Sequence, residues 1–164
     1  MQKLSVITGA AGVGKSTYGK KLAAECHACF LDSDTVTEDV VRAGMLAAEL
    51  GPNDRDSPEY RRFFRDAVYE ALYRVASENL PQIDVVMVGP FTSEIQNVNW
   101  PIWLSEHLKC EVEVCFVTCD EETRQQRIRD RSNPRDEWKI ANWGDYLAKS
   151  SVCPPVFDYQ MIKT

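Results

Sequence analysis

The sequence predicts an α/β fold in which one mostly parallel sheet carries helices on both faces. Three observations predict it. Short apolar runs alternate with amphipathic stretches from one end of the chain to the other. A glycine-rich turn joins the first apolar run to the first helical stretch. The chain has 164 residues, 44% of them hydrophobic and 27% charged, which suits a single domain spanning 1–164 with a core that needs no staples.

Each element has a local reason. Lys3–Thr8 alternates as a strand, and 9–14 is the turn. Lys15–Glu25 follows as a helix with Tyr18, Leu22 and Ala23 on one side. Cys29–Asp32 is a second short strand. Thr35-Val36-Thr37-Glu38 has the capping-box form, so a helix is expected from there to about Leu50, where Gly51 and Pro52 stop it. The polar stretch 52–56 reads as a surface loop. Ser57-Pro58-Glu59 supplies an N-cap, a proline at the first helical position and an acid, and starts a helix to about Asn79. Ile83–Val88 is a third strand, Trp100–Leu108 a helix and Glu111–Thr118 a fourth strand. Asp120 caps a helix through about Asp130, 137–149 is helical, and Phe157–Ile162 is the last strand.

Composition narrows the function classes. The net charge of −6 weighs against a broad nucleic-acid surface. No apolar run approaches the ~18 residues of a membrane span, and the chain enters a strand pattern at once without a signal-peptide layout. Both point to a cytoplasmic protein. Cys26-His27-Ala28-Cys29 has the C-x-x-C form, but no second ligand pair stands at metal-site spacing, so it reads as a helix end running into a strand. Cys115 and Cys119 fall on one strand face and should stay reduced.

The turn carries the chemistry. Gly9-Ala10-Ala11-Gly12-Val13-Gly14-Lys15-Ser16 matches G-x-x-x-x-G-K-[ST]. Glycines let the backbone adopt positive φ and approach phosphates closely. Successive N–H groups then form an anion nest at the positive end of the next helix. Gly9, Ala11, Gly12, Val13, Gly14, Lys15, Ser16 and Thr17 are the expected ATP-binding residues, with Lys15 bridging the β- and γ-phosphates and Ser16 a ligand of Mg²⁺.

A second carboxylate site narrows the class. Asp32 and Asp34 follow the second strand, where ligands gather in open α/β sheets, and on an extended segment they point the same way. The third strand ends in Gly89-Pro90-Phe91 with no acid, and Asp84 lies at its far end. The metal-linked acid is therefore expected from the second strand: Asp32 for Mg²⁺, Asp34 for orienting or deprotonating an acceptor hydroxyl. A competing reading has one of the two merely capping the next helix.

Arg124, Arg127 and Arg131 fall at i, i+3 and i+7, and Arg135 follows in a loop. Arginines there suit a short lid, about 130–137, that closes on ATP, with Arg127 and Arg131 the catalytic candidates and Arg127 and Arg135 on the nucleotide. Arg124 is open to a surface role, and an exposed helix laced with acid and arginine is the competing reading. On the helix after Ser57, Arg61 and Arg65 share a face with Tyr69 and Tyr73, which could read an anionic or ring-bearing acceptor, although tyrosine packing beside solvated arginines is the preferred reading. Phe91 is expected as the apolar wall of the acceptor site. The four tryptophans are large enough to line a lid, but core packing is the preferred reading.

These motifs together resemble the shikimate/gluconate kinase-like branch of P-loop kinases. Gly89-Pro90-Phe91 and the stretch Arg131-x-x-Pro134-Arg135-Asp136-x-Trp138-Lys139 are similar to the AAA-domain ATP-binding proteins related to that branch and to zeta toxins. The resemblance implies a three-layer P-loop fold with strand order 2-3-1-4-5. It also implies ATP as donor, Mg²⁺, and a small hydroxylated acceptor bound near Asp34, Arg61, Arg65 and Phe91. The Gly-Gly-Gly turn of shikimate kinases is replaced here by Gly89-Pro90-Phe91, which argues against shikimate itself. The alternatives are a kinase of a nucleotide-sugar or nucleic-acid end, or a non-catalytic nucleotide switch.

Overall fold

The structure is a computed structural model that describes residues 1–55, 57–149 and 152–164; Asp56, in the expected loop 52–56, lies outside them. Five strands form one parallel sheet: β1 (Lys3–Thr8), β2 (Cys29–Asp32), β3 (Val85–Val88), β4 (Glu111–Thr118) and β5 (Gln160–Lys163). Their order is β2-β3-β1-β4-β5, the order the resemblance implies. The central register pairs Val6 with Met87 on one side and with Val114 on the other. The helices are α1 (Lys15–Cys26), α2 (Ser33–Ala47), α3 (Pro58–Tyr60), α4 (Asp66–Asn79), α5 (Trp100–Leu108), α6 (Glu121–Asp130), α7 (Glu137–Ala141) and α8 (Trp143–Lys149).

Strand periodicity sorts the core into two clusters. Leu4, Val6, Val85, Met87, Val114 and Phe116 point to one face, under α2, α4 and α5. Ile7, Val86, Val88, Cys115 and Val117 point to the other, with Ala23 of α1. Central strands buried on both faces read as continuous apolar runs, as Val85–Val88 does. Cys115 and Cys119 join the second cluster, and all six cysteines are free thiols.

Several boundaries differ from the sequence reading, each for a local reason. α2 begins at Ser33, because Asp32 is the N-cap and accepts from the amides of Asp34 and Thr35; the capping-box pattern at Thr35 lies inside the helix. The helix after Ser57 contains a π-helical turn, Arg61–Arg65, between α3 and α4. Such turns insert one residue into a helix and concentrate at functional sites. The stretch 137–149 breaks at Asn142 into α7 and α8. β3 starts at Val85, and Asp84 takes the Lys3 amide at the end of the sheet away from the glycine turn. Short 3₁₀ turns at Glu94–Gln96 and Pro134–Asp136 have no clear sequence period. β5 is Gln160–Lys163, later than the expected 157–162, because Phe157 and Tyr159 pack against the core cluster.

Of the tryptophans only Trp100 is buried in the core. Trp103 and Trp138 are exposed, and Trp103 lies against Tyr73 and His107 at the surface.

Candidate active site

The carboxyl ends of β1, β2 and β3 open onto one cleft of about 650 Å³. The turn between β1 and α1 meets it at Ala11, with Lys15 and Ser16 following at the start of α1. Gly9 (φ 140°), Gly12 (φ 83°) and Gly14 (φ 91°) all adopt positive φ. At Gly9 the requirement is steric as well, since a Cβ there would sit 2.4 Å from the Val117 carbonyl oxygen. Gly14 is the N-cap of α1 and offers no side-chain acceptor, so the first-turn amides are left for an anion.

Lys15 lies along this turn and donates to the Ala10 carbonyl at 2.7 Å. Burial outweighs the nearby Asp34 and lowers its pKa to about 8, with Arg131 adding to the effect. The ammonium has no carboxylate partner among the described residues and faces the cleft. Such a charge is stabilised by an incoming polyanion. Ser16 Oγ donates to Asp32 Oδ2 at 2.5 Å, while Asp32 Oδ1 caps α2. Asp32 is therefore both the cap of α2 and the hydrogen-bond partner of Ser16.

Asp34 sits in the first turn of α2 rather than on an extended segment, and still lines the cleft. Arg135 Nη2 donates to its Oδ2 at 2.8 Å, and Nη1 reaches Glu38 at 3.1 Å. Burial works to raise the Asp34 pKa, but Arg135's hydrogen bond and charge, with Lys15 and Arg55 behind, outweigh it and hold the carboxyl below its usual value. Arg55 completes the group from the loop, 3.2 Å from Glu38.

The arginines divide. Arg131 and Arg135 lie in the segment between α6 and α7 and line the cleft. Arg127, expected on the nucleotide and in catalysis, stands outside the cleft lining: Nη1 donates to the Val13 carbonyl and to Thr164 Oγ1, bracing the turn from outside. Arg124, open to a surface role in the sequence, donates from Nε to the Ala11 carbonyl at 2.8 Å and lies against the rings of Trp143 and Tyr146. Of the expected nucleotide-binding residues of the turn and α1, Ala11, Lys15 and Ser16 line the cleft, whereas Gly9, Gly12, Gly14, the buried Val13 and the exposed Thr17 do not.

On the acceptor side, Arg61 and Arg65 of the π turn both line the cleft. Arg65 is held by Glu94 at 2.7 Å and lies 4.8 Å over the Tyr69 ring. Tyr73 turns away to Trp103. Phe91 is the clear correction. Its backbone is left-handed (φ 42°) and its ring is fully buried, 4.9 Å from Tyr69 and 5.2 Å from Trp100. Packing three aromatic rings in the core outweighs the backbone strain. The cleft wall is made instead by its neighbours Pro90, Thr92 and Ser93. Glu38, Arg55, Tyr60 and Lys139 line the cleft and Asp136 is buried against Arg131 and Lys139, and the sequence reading gave none of the five a site role. Asp136 and Lys139 stand in the stretch that carries the family resemblance and Glu38 in the capping-box pattern, whereas no motif marked Arg55 or Tyr60.

The model of one protein family, described as an AAA domain, matches residues 4–151. The chain belongs to this AAA-domain family. Among curated proteins, a shikimate kinase from Moorella thermoacetica is 31% identical to this AAA-domain chain over 103 residues, 60% of the chain and 56% of that enzyme. The match thus spans little more than half the length of that relative. Among solved structures, a sugar kinase from Janibacter sp. matches with a TM-score of 0.60 at 15% identity, covering 100% of this chain and 85% of that one. A gluconokinase from Sinorhizobium meliloti matches with a TM-score of 0.53 at 15% identity, covering 99% and 81%. At that identity the likeness establishes the shared fold. Among the described residues no helix is long and apolar enough to cross a membrane.

Proposed function

We propose that this chain is an ATP- and Mg²⁺-dependent kinase that transfers the γ-phosphoryl group to a hydroxyl of a small molecule held in the cleft. One observation carries the reading: Ala11 of the glycine turn, Lys15, the Ser16–Asp32 pair and Asp34 line a single cavity. The kinase names of the relatives support it.

Phosphoryl transfer demands positioning and charge stabilisation more than covalent help from the protein. The amides of 9–14 and the ammonium of Lys15 grip the triphosphate tail. Ser16 and Asp32 fit Mg²⁺, being two hard oxygen donors brought side by side from the start of α1 and the end of β2, and would hold it directly or through water. When bound, the ion neutralises charge on the phosphates. Asp34, kept ionised, accepts a hydrogen bond from the acceptor hydroxyl and aligns its oxygen with the γ-phosphorus. The new O–P bond forms as the bond to the bridging oxygen of ADP breaks, and the hydroxyl proton passes toward Asp34. The transition state is loose, so a carboxylate of low basicity suffices. Arg131 faces the oxygens on which charge accumulates.

The test is a panel of sugars, nucleosides and amino alcohols assayed for acceptor-dependent ADP release, followed by Asp34→Asn. The substitution should abolish release at about the background level and leave Mg·ATP affinity within about threefold. Retained turnover in Asp34→Asn would remove Asp34 from the mechanism.

A further inference from the structure

The segment between α6 and α7 contains a fully buried acid that the mechanism above leaves without a role. Asp136 has no exposed surface, and each of its oxygens receives one cation. Arg131 donates from Nε to Oδ2 at 2.5 Å, and Lys139 from Nζ to Oδ1 at 2.9 Å. Both cations line the cleft. Resting on the kinase reading, we propose that Asp136 is a positioning residue. It fixes Arg131 and Lys139 at the mouth of the cleft so that both bear on the terminal phosphate of the donor.

Three features support this. First, the Asp136 contact uses only Nε of Arg131. Its two terminal nitrogens have no partner among the described residues, and the side chain is 40% exposed. A guanidinium anchored at Nε and open at both terminal nitrogens presents a fork matched to phosphate oxygens. Second, the charges do not balance. One carboxylate holds two cations, so the group offers a net positive charge to the cleft, whereas Arg135 is taken up by Asp34 and Glu38. Third, the group is tied to the glycine turn. Lys139 lies over the Tyr146 ring, the Tyr146 hydroxyl accepts from Arg124, and Arg124 donates to the Ala11 carbonyl. The bearing of Arg131 and Lys139 is thus set relative to the phosphate nest. Burial works to raise the Asp136 pKa, but the hydrogen bonds from Arg131 and Lys139 outweigh it and keep the acid ionised.

A residue that only stapled the fold would show itself in stability. A residue that aims cations at the terminal phosphate shows itself in the preference for ATP over ADP. The experiment is calorimetric titration of the full chain with Mg·ATP and with Mg·ADP. Asp136→Asn should weaken ATP binding about tenfold, as loss of a charge-assisted contact does, while ADP binding stays within about threefold. An unchanged ATP-to-ADP ratio, whatever the melting temperature, overturns the proposal. If Asp136→Asn does not fold, Arg131→Gln and Lys139→Gln carry the test, since each leaves Asp136 a partner. Loss of ATP preference in both supports the proposal, and an unchanged ratio in either overturns it. Wild-type protein that binds neither nucleotide would overturn the kinase reading itself, a result distinct from an unchanged ratio.

Discussion

Lys15→Met should stabilise the ligand-free protein while removing its response to nucleotide. The Lys15 ammonium is held in the glycine turn with one carbonyl partner, and its pKa falls from 10.5 to about 8. At about 1.36 kcal/mol per pKa unit this lowering corresponds to about 3 kcal/mol of disfavoured charge. Some solvent reaches the half-buried side chain, and loss of the bond to Ala10 removes about 1 kcal/mol, so a net gain of about 1–2 kcal/mol is expected at pH 7. For a chain of this length that is a rise of about 3–6 °C in Tm. The unfolded chain keeps the Lys15 proton up to about pH 10.5, whereas the folded protein releases it near 8. Between those values the unfolded state binds more protons, so wild-type stability from this group rises with pH across the window. The advantage of Lys15→Met should therefore be full below about pH 8 and gone near pH 10.5. Thermal denaturation from pH 7 to 10.5, with and without Mg·ATP, reads all of this. Wild type should gain stability from nucleotide and the variant should not. A Met variant less stable than wild type at pH 7, or one that still responds to Mg·ATP, would refute the reasoning.

Phe91→Ala should cost about 3–5 kcal/mol in urea denaturation, as loss of a buried ring does, with Mg·ATP affinity unchanged at saturating fold; a large loss of acceptor affinity without loss of stability would return Phe91 to the cleft wall. Acceptor-dependent turnover should be level from below the usual carboxylate range, because Asp34 stays ionised there, and should decline above about pH 8 as free enzyme loses the Lys15 proton; a pH profile of kcat/KM checks both limbs. Asp32→Ala should cost about 1 kcal/mol through loss of the α2 cap and raise the Mg²⁺ concentration needed for half-maximal nucleotide binding; an unchanged Mg²⁺ requirement would separate Asp32 from the metal.

The parts of the fold and site that were legible in the sequence are those set by local backbone chemistry. The turn at 9–14 could be read because positive φ and close approach to phosphate leave glycine little competition, as Gly9 against the Val117 carbonyl illustrates. Strand alternation gave the two faces of the sheet, because every central strand buries both sides. What could not be read depends on tertiary placement. Nothing in the spelling of Pro134-Arg135-Asp136 says that the acid is buried and the arginine reaches back to Asp34. Arg127 and Arg124 share a periodicity with Arg131, yet α6 turns the first two onto carbonyls of the glycine turn and only Arg131 into the cleft. Phe91 follows a strand end exposed to the cleft, but its left-handed backbone turns the ring inward. The π turn at Arg61–Arg65, which brings Arg61 and Arg65 to the cleft, has no sequence signature.

The most direct test of the account is a crystal structure of the full chain with Mg²⁺ and a non-hydrolysable ATP analogue. The account predicts the β- and γ-phosphates seated on the amides of 9–14, Lys15 released from the Ala10 carbonyl to reach them, and the γ-phosphate facing Asp34 across the cleft. A nucleotide bound elsewhere, with Lys15 still on Ala10 and Asp34 remote from the phosphates, would contradict it.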